Sequence, residues 1–241
     1  VLVLGDVLEQ HSPTRLLPIF SMLLVSGLFV LAGFRLPAHA SSAPEDTAPH
    51  RGTFALLREN PHFALTLLGC MFFFLTHTIS NTYGNALVGK VGGTSSAIGT
   101  GLALSAMLEL PGMTLVSRLR ERFSCGFFLR TAAAAEVLKF LIFYFAPSIG
   151  FIYLGNAMQF FQFAFYTPAT VYYVADHLPA RDQLKGQSLI YVAGCGLGSA
   201  LGNFLGGQLI EWRGIQAALF FALCSACASL LTFSLSTRTK E

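Results

Sequence analysis

CGFFLRTAAAAEVLKFLIFYFA, running from Cys125 to Ala146, is the stretch from which the rest of the chain can be read. A bilayer core about 30 Å thick takes roughly 20 apolar residues of helix at about 1.5 Å per residue, and this stretch is long enough. It has no alternation of period two, so it reads as a helix and not as a strand. Near its middle stand Glu136 and Lys139. Such residues cost about 2.5 to 3.5 kcal/mol each at the centre of a membrane helix, so they should face protein or water and be paired. Three positions apart, they share one helical face, close enough to pair within their own helix.

Working outward, six further segments have the same length and character: Leu16 to Phe34, His62 to Tyr83, Thr94 to Val116, Ile149 to Val174, Gly186 to Ile210 and Ile215 to Leu235. The sequence therefore predicts an all-α membrane protein with seven transmembrane helices, and excludes a transmembrane β-barrel. Composition agrees. The chain is 54% hydrophobic and 11% charged, whereas a soluble domain carries about 25% charged residues. A net charge of +3, thinly scattered, gives no footing for nucleic acid. Cys70, Cys125, Cys195, Cys224 and Cys227 lie in or beside apolar runs and read as small packing residues. Cys224 and Cys227 have CxxC spacing, but no βαβ pattern or second ligand pair accompanies them, so no metal or other cofactor is expected. Nothing resembles a nucleophile motif or a metal cluster, which argues against an enzyme.

Basic residues orient the spans. If the helices alternate, eleven fall on one side: Arg35, Arg51, Arg58, Arg118, Arg120, Arg122, Arg130, Arg181, Lys185, Arg238 and Lys240. Arg15, Lys90 and Arg213 fall on the other. This places the C-terminus and the loop from Arg35 to Asn60 in the cytoplasm, in a multi-pass protein of the cytoplasmic (inner) membrane. Pro37, Ser41, Ser42, Pro44 and Pro49 make residues 37–60 a flexible linker. Residues 1–36 then close one bundle, and 61–241 form a six-helix bundle. The front of the chain supports this division. Gly5, Val7, Leu8 and Glu9 match Gly207, Leu209, Ile210 and Glu211 in character at an offset of 202 residues. A helix end, an outer turn and an inward span thus occur twice, as two six-helix halves in parallel repeat would give. With Val1 in first position and no signal-peptide pattern, the expectation is a chain truncated at its front, lacking the N-terminal helices of the same protein.

Leu108-Glu109-Leu110-Pro111-Gly112-Met113, followed by Arg118, resembles the corresponding helix of sugar-efflux transporters. Tyr166-Thr167-Pro168-Ala169, Tyr172-Tyr173, Lys185-Gly186-Gln187 and the glycine-rich Gly194 to Gly207 are similar to the tenth and eleventh helices of the lactose and phenylpropionate permease group. The chain is thereby identified as resembling the major facilitator superfamily along essentially its whole length. Arg118-Leu119-Arg120-Glu121-Arg122 only loosely resembles the gating loop of that superfamily. The resemblance implies that Lys139 stands where lactose permeases have an Arg, and that Gln159 and Gln162 stand where they have a His and a Glu used in proton coupling. With both titratable groups replaced by amides, a coupled proton must ride on Glu109 or Glu136.

The candidate site follows from these polar intruders. Glu109, Glu136 and Lys139 are the proton-coupling candidates, expected to face a common watery interior. His77, Asn81 and Asn85 recur at i, i+4 and i+8, while Asn156, Gln159, Gln162 and Tyr166 share one face of a later span. Amides near midspan offer donors and acceptors to a polyhydroxylated solute, although such residues also tie helices together. Gly194, Gly198, Gly202 and Gly206 recur every four residues and read as a helix-packing seam. The leading expectation is a secondary transporter moving a sugar or oligosaccharide by alternating access with proton coupling. A multidrug or small organic acid permease of the same fold is the first alternative. A seven-helix receptor or sensor is the alternative from another class.

Overall fold

The computed structural model of the chain describes residues 22, 24–28 and 52–237. It divides into two units, 1–50 and 51–241. In the first unit the described residues are helical. The rest of the first expected span, the linker up to 51, the turn at Gly5 to Glu9 and the terminal Arg238 and Lys240 lie outside the described residues. The second unit is described here by itself.

Its helices are α1 (Thr53–Glu59), α2 (Pro61–Thr82), α3 (Gly84–Lys90), α4 (Ser95–Leu119), α5 (Cys125–Phe145), α6 (Ile149–Ala157), α7 (Phe163–His177), α8 (Ala180–Tyr191), α9 (Ser199–Arg213) and α10 (Ile215–Thr237). A 3-10 turn, Met158–Phe160, joins α6 to α7, and a π-helical turn, Val192–Gly198, joins α8 to α9. Among the described residues there is no strand. The described fold is all-α, as the sequence predicts.

Local chemistry sets the boundaries. Pro61 occupies the first turn of α2, where its missing N–H costs nothing. Asn60 turns its amide back to donate to the Leu56 carbonyl at 3.0 Å, closing α1, whose Leu56 is fully buried. Ser124 caps α5 by accepting from the Phe127 N–H at 3.3 Å. At the far end of α5, the Lys90 ammonium donates to the carbonyls of Phe143 and Tyr144 at 3.3 and 2.8 Å, a cation on a helix C-terminus. Gly214, at φ 76°, makes the left-handed turn that lets α10 start directly after α9.

Four helical rods are long and apolar enough to cross a membrane: α2, α4, residues 180–213 and α10. α5 has the length but carries Arg130, Glu136 and Lys139. The expected single span from Ile149 to Val174 is instead two shorter helices with a tightened turn between them. α10 packs along α2 and α5, α5 along α7, and α4 against α6 and α7. The rod from α8 to α9 lies on α2.

Hydrocarbon gives no hydrophobic drive for helix association, so small residues and hydroxyls must supply close contact. On the α2–α10 seam, Ser225 and Ser229 donate to the carbonyls of Phe72 and Gly69, each at 3.1 Å. On the other flank of α2 lie Gly194, Gly198, Gly202 and Gly206, all buried. A Cβ at Gly198 would stand 2.5 Å from the Met71 carbonyl oxygen, and one at Gly202 would stand 2.5 Å from that of Leu75. At Gly194 and Gly206 it would meet the rings of Phe74 and Tyr83 at 2.7 and 2.8 Å. The π-turn helps to keep these four in line. In an α-helix of 3.6 residues per turn, every fourth residue drifts forward; a wider π-turn carries it backward, and the two drifts offset.

Gly202→Ala is therefore expected to lower stability by about 1 to 3 kcal/mol, because the added methyl meets backbone that cannot rotate away. Gly196→Ala, with no neighbouring atom nearer than 4.0 Å, is the control and leaves stability unchanged or raised. Thermal unfolding of both variants in detergent micelles decides it.

Candidate functional site

The apolar interior falls into two clusters. One gathers Phe73, Phe128, Phe165 and Tyr173; the other gathers Ile79, Phe140, Phe143 and Ile152. Along α5, and along α6 and α7, the polar residues of interest fall between positions belonging to the two. On α5 a run of four alanines, Ala132 to Ala135, leads into Glu136 and Lys139, which are 0% and 1% exposed.

These two charges do not meet directly. The Gln162 carboxamide lies between them, its Nε2 donating to Glu136 Oε1 at 3.0 Å and its Oε1 accepting from Lys139 Nζ at 3.1 Å. Gln159 Oε1 accepts from the same ammonium at 3.2 Å. The expected ion pair within α5 is thus replaced by an amide bridge. The physical reason is that one carboxamide supplies an acceptor for the cation and a donor for the anion. The helix is broken here: Gln159 lies in the 3-10 turn and Gln162 just before α7, three residues apart, and both reach Nζ. Glu136 Oε2 is buried with no hydrogen-bond partner.

His77, on α2, extends the network. Its Nδ1 lies 3.4 Å from Gln162 Nε2, and its Nε2 lies 2.9 Å from the Asn81 carboxamide. The ring stacks on Phe163 with centroids 4.7 Å apart and planes 13° from parallel. Tyr166 stacks on Phe73 at 4.2 Å in the adjoining aromatic layer. Asn81 is exposed, so the chain of contacts runs from a fully buried cation to an uncovered amide.

Other expected residues lie elsewhere. The stripe from His77 stops at Asn81, because Tyr83 (φ −104°, ψ 22°) ends α2 and Asn85 falls, exposed, in α3. Asn156 is half-buried against α4: a Cβ at Gly101 would lie 2.5 Å from its Nδ2, and its carbonyl accepts from Ser105 at 3.3 Å. Glu109, half-buried on α4, has no ion pair or hydrogen bond among the described residues and is not part of the cluster. Glu109 thus does not join Glu136 and Lys139 in one hydrogen-bonded group. The sequence reading also passed over Asn203, whose Oδ1 accepts from Thr82 at 2.8 Å and whose carbonyl accepts from Tyr83 at 2.6 Å. Its signal was a lone amide directly after Gly202 on the packing seam.

A cavity of about 450 Å³ opens at the end of the unit where α2 and α5 begin, lined by Glu59, His62, Ser124, Tyr173, Asp176 and His177 among others. It touches none of the cluster. Beside it Arg120 pairs with Asp176 at 2.7 Å and lies over the Tyr172 ring at 3.9 Å. Among the described residues, no three His, Cys, Asp or Glu side chains are grouped to hold a metal ion.

Apolar rods held by glycine and hydroxyl seams around a buried ionic cluster fit a multi-pass membrane protein of the major-facilitator class. The chain belongs to the MFS_1 like family, whose model matches residues 1–222. Over its full length it is 27% identical to the maltose permease of Geobacillus stearothermophilus. It is 22% identical to the uncharacterized transporter YwbF of Bacillus subtilis (strain 168). In both cases it spans 60% of the relative's length.

Lys139→Met leaves Glu136 buried without its countercharge and is expected to destabilise the protein by about 3 to 5 kcal/mol. Adding Glu136→Gln removes the stranded charge and recovers at least half of that loss. Thermal unfolding of the single and double variants in one detergent measures both.

Proposed function

We propose that the chain works as part of a proton-coupled secondary transporter that moves a sugar or oligosaccharide across the cytoplasmic membrane by alternating access. In this reading residues 1–36 end one bundle, 37–60 are a cytoplasmic linker whose last part is not flexible but is helix α1, with Leu56 in the core, and 61–241 are the six-helix half that rocks against the other about a midplane site. The C-terminus lies in the cytoplasm. The single observation that carries it is the buried cluster of Glu136, Gln162, Lys139 and Gln159, joined through His77 to the exposed Asn81.

Depth supports the placement. Glu136 lies 11 residues into the 21-residue α5, about 16 Å along it and close to midspan, while Lys139 and His77, 14 residues into α5 and 16 into the 22-residue α2, lie about 5 to 8 Å farther from the end where both helices begin. Glu136 is the proton site, because Oε2 is an uncommitted acceptor while Oε1 is held by Gln162. A proton added there removes one charge from the cluster, and only such a difference between states biases alternating access. Amides on this wall suit hydroxyl-rich solutes, and the name of the maltose permease relative points to a disaccharide. Membership of the MFS_1 like family, together with likeness to a maltose permease, stands against the receptor reading.

Liposomes containing the protein, with an imposed pH gradient and labelled maltose, provide the test. Gradient-driven accumulation is expected, and Glu136→Gln is expected to abolish it while keeping exchange of internal for external sugar. Loss of coupling in Glu109→Gln, with Glu136→Gln fully coupled, would move the proton site to α4. Transport of hydrophobic cations or organic acids with none of maltose would overturn the sugar assignment.

A further inference from the structure

Hydrogen positions in the cluster follow from one cation. A lysine ammonium has donors and no acceptor, so both glutamines must present Oε1 to Lys139 Nζ, as they do at 3.2 and 3.1 Å. With its oxygen committed, Gln162 can face Glu136 only with its NH2 group, and that contact is 3.0 Å. The second hydrogen of that NH2 is directed to His77 Nδ1 at 3.4 Å. A ring nitrogen that receives an N–H carries no hydrogen of its own. His77 is therefore the neutral imidazole with its proton on Nε2.

The consequence appears at the next residue. His77 Nε2–H lies 2.9 Å from the Asn81 carboxamide, where the nearer atom as placed is Nδ2. Two donors cannot face each other. The two ends of a carboxamide have nearly the same shape, and the hydrogen-bond network decides between them. Asn81 must therefore turn over, with Oδ1 accepting from His77 and both N–H donors facing outward on an exposed position.

We propose that His77 is a positioning residue that passes the polarity set by Lys139 to Asn81, so that Asn81 offers a solute N–H donors and keeps its own acceptor occupied. The ligand chemistry that fits is an oxygen acceptor, such as a saccharide hydroxyl or ring oxygen. The solute part of this inference rests on the transporter reading; the tautomer part stands without it. The stack on Phe163, with planes 13° from parallel, favours the ring plane on which both nitrogen contacts depend.

Two measurements test it. Nitrogen-15 NMR of histidine-labelled protein, with the His77 signal identified by its loss in His77→Phe, is expected to show the Nε2–H tautomer alone at neutral pH. Gln162→Leu is expected to convert that signal to a mixture of tautomers. An Nδ1–H or imidazolium signal in the unsubstituted protein, or a Gln162→Leu variant that stays purely Nε2–H, overturns the relay. The second measurement is maltose uptake by reconstituted protein. His77→Phe keeps the stacking ring, and it and Asn81→Ala are each expected to raise KM about tenfold with kcat nearly unchanged, as losing one solute hydrogen bond would. The double variant is expected to be no worse than either single one. An additive loss of about a hundredfold would show that the two residues act separately and would overturn the positioning role. Absence of maltose uptake by the unsubstituted protein overturns the sugar reading alone, and the tautomer result then decides the relay.

Discussion

Burying one lysine ammonium among apolar helices is the constraint to which much of this unit answers. An isolated ammonium would cost many kcal/mol in such surroundings, and a direct carboxylate partner would leave most of its donors unsatisfied. Two carboxamides and a nearby carboxylate meet the demand together at Lys139. To bring both amides to one nitrogen, the helix pair α6 and α7 is broken by a 3-10 turn. The break lies where the two amides meet the cation, and it interrupts what is otherwise a long apolar segment.

Lipid imposes a second constraint, which the rest of the unit obeys. Apolar side chains gain little by leaving hydrocarbon for another helix, so cohesion comes from close approach and from hydroxyl donors on carbonyls. The glycines of the 180–213 rod approach the carbonyls of Met71 and Leu75 so closely that no Cβ could be accommodated, while Ser225 and Ser229 hold the opposite flank of α2. α2 is clamped on both sides. His77 belongs to this clamped helix, which fixes the ring relative to Gln162 and gives the buried cluster a rigid route to Asn81.

Much of this was legible in the sequence because it depends on length, polarity and spacing. Apolar runs of membrane length marked the rods, charges inside them marked Glu136 and Lys139, and a four-residue glycine period marked the side of residues 194–206 that approaches α2. What could not be read depends on three-dimensional competition for hydrogen bonds. Spacing put Glu136 beside Lys139, but spacing cannot show that an amide from another helix outcompetes the direct pair. The bend at Tyr83, which separates Asn85 from His77 and Asn81, carries no proline, and the glycine that follows it reads equally well as part of a helix. Glu109 looked equivalent to Glu136 because both are acids in apolar runs. Only packing distinguishes them, since α4 packs chiefly on α6, α7 and the turn between them, and Glu109 makes no bond to the cluster on α5.

The amides at 159 and 162 also explain why the cluster can be both buried and polarised. A titratable side chain between Glu136 and Lys139 would change its donor pattern whenever it gained or lost a proton. A carboxamide has one donor end and one acceptor end at any physiological pH. Placed between a cation and an acid, Gln162 has its orientation dictated by the cation and passes that orientation to whatever it touches next. On the proposed mechanism the coupled proton sits on the carboxylate, whose second oxygen is uncommitted, while the amides and the imidazole keep a fixed direction of donation from the core to the exposed end of α2.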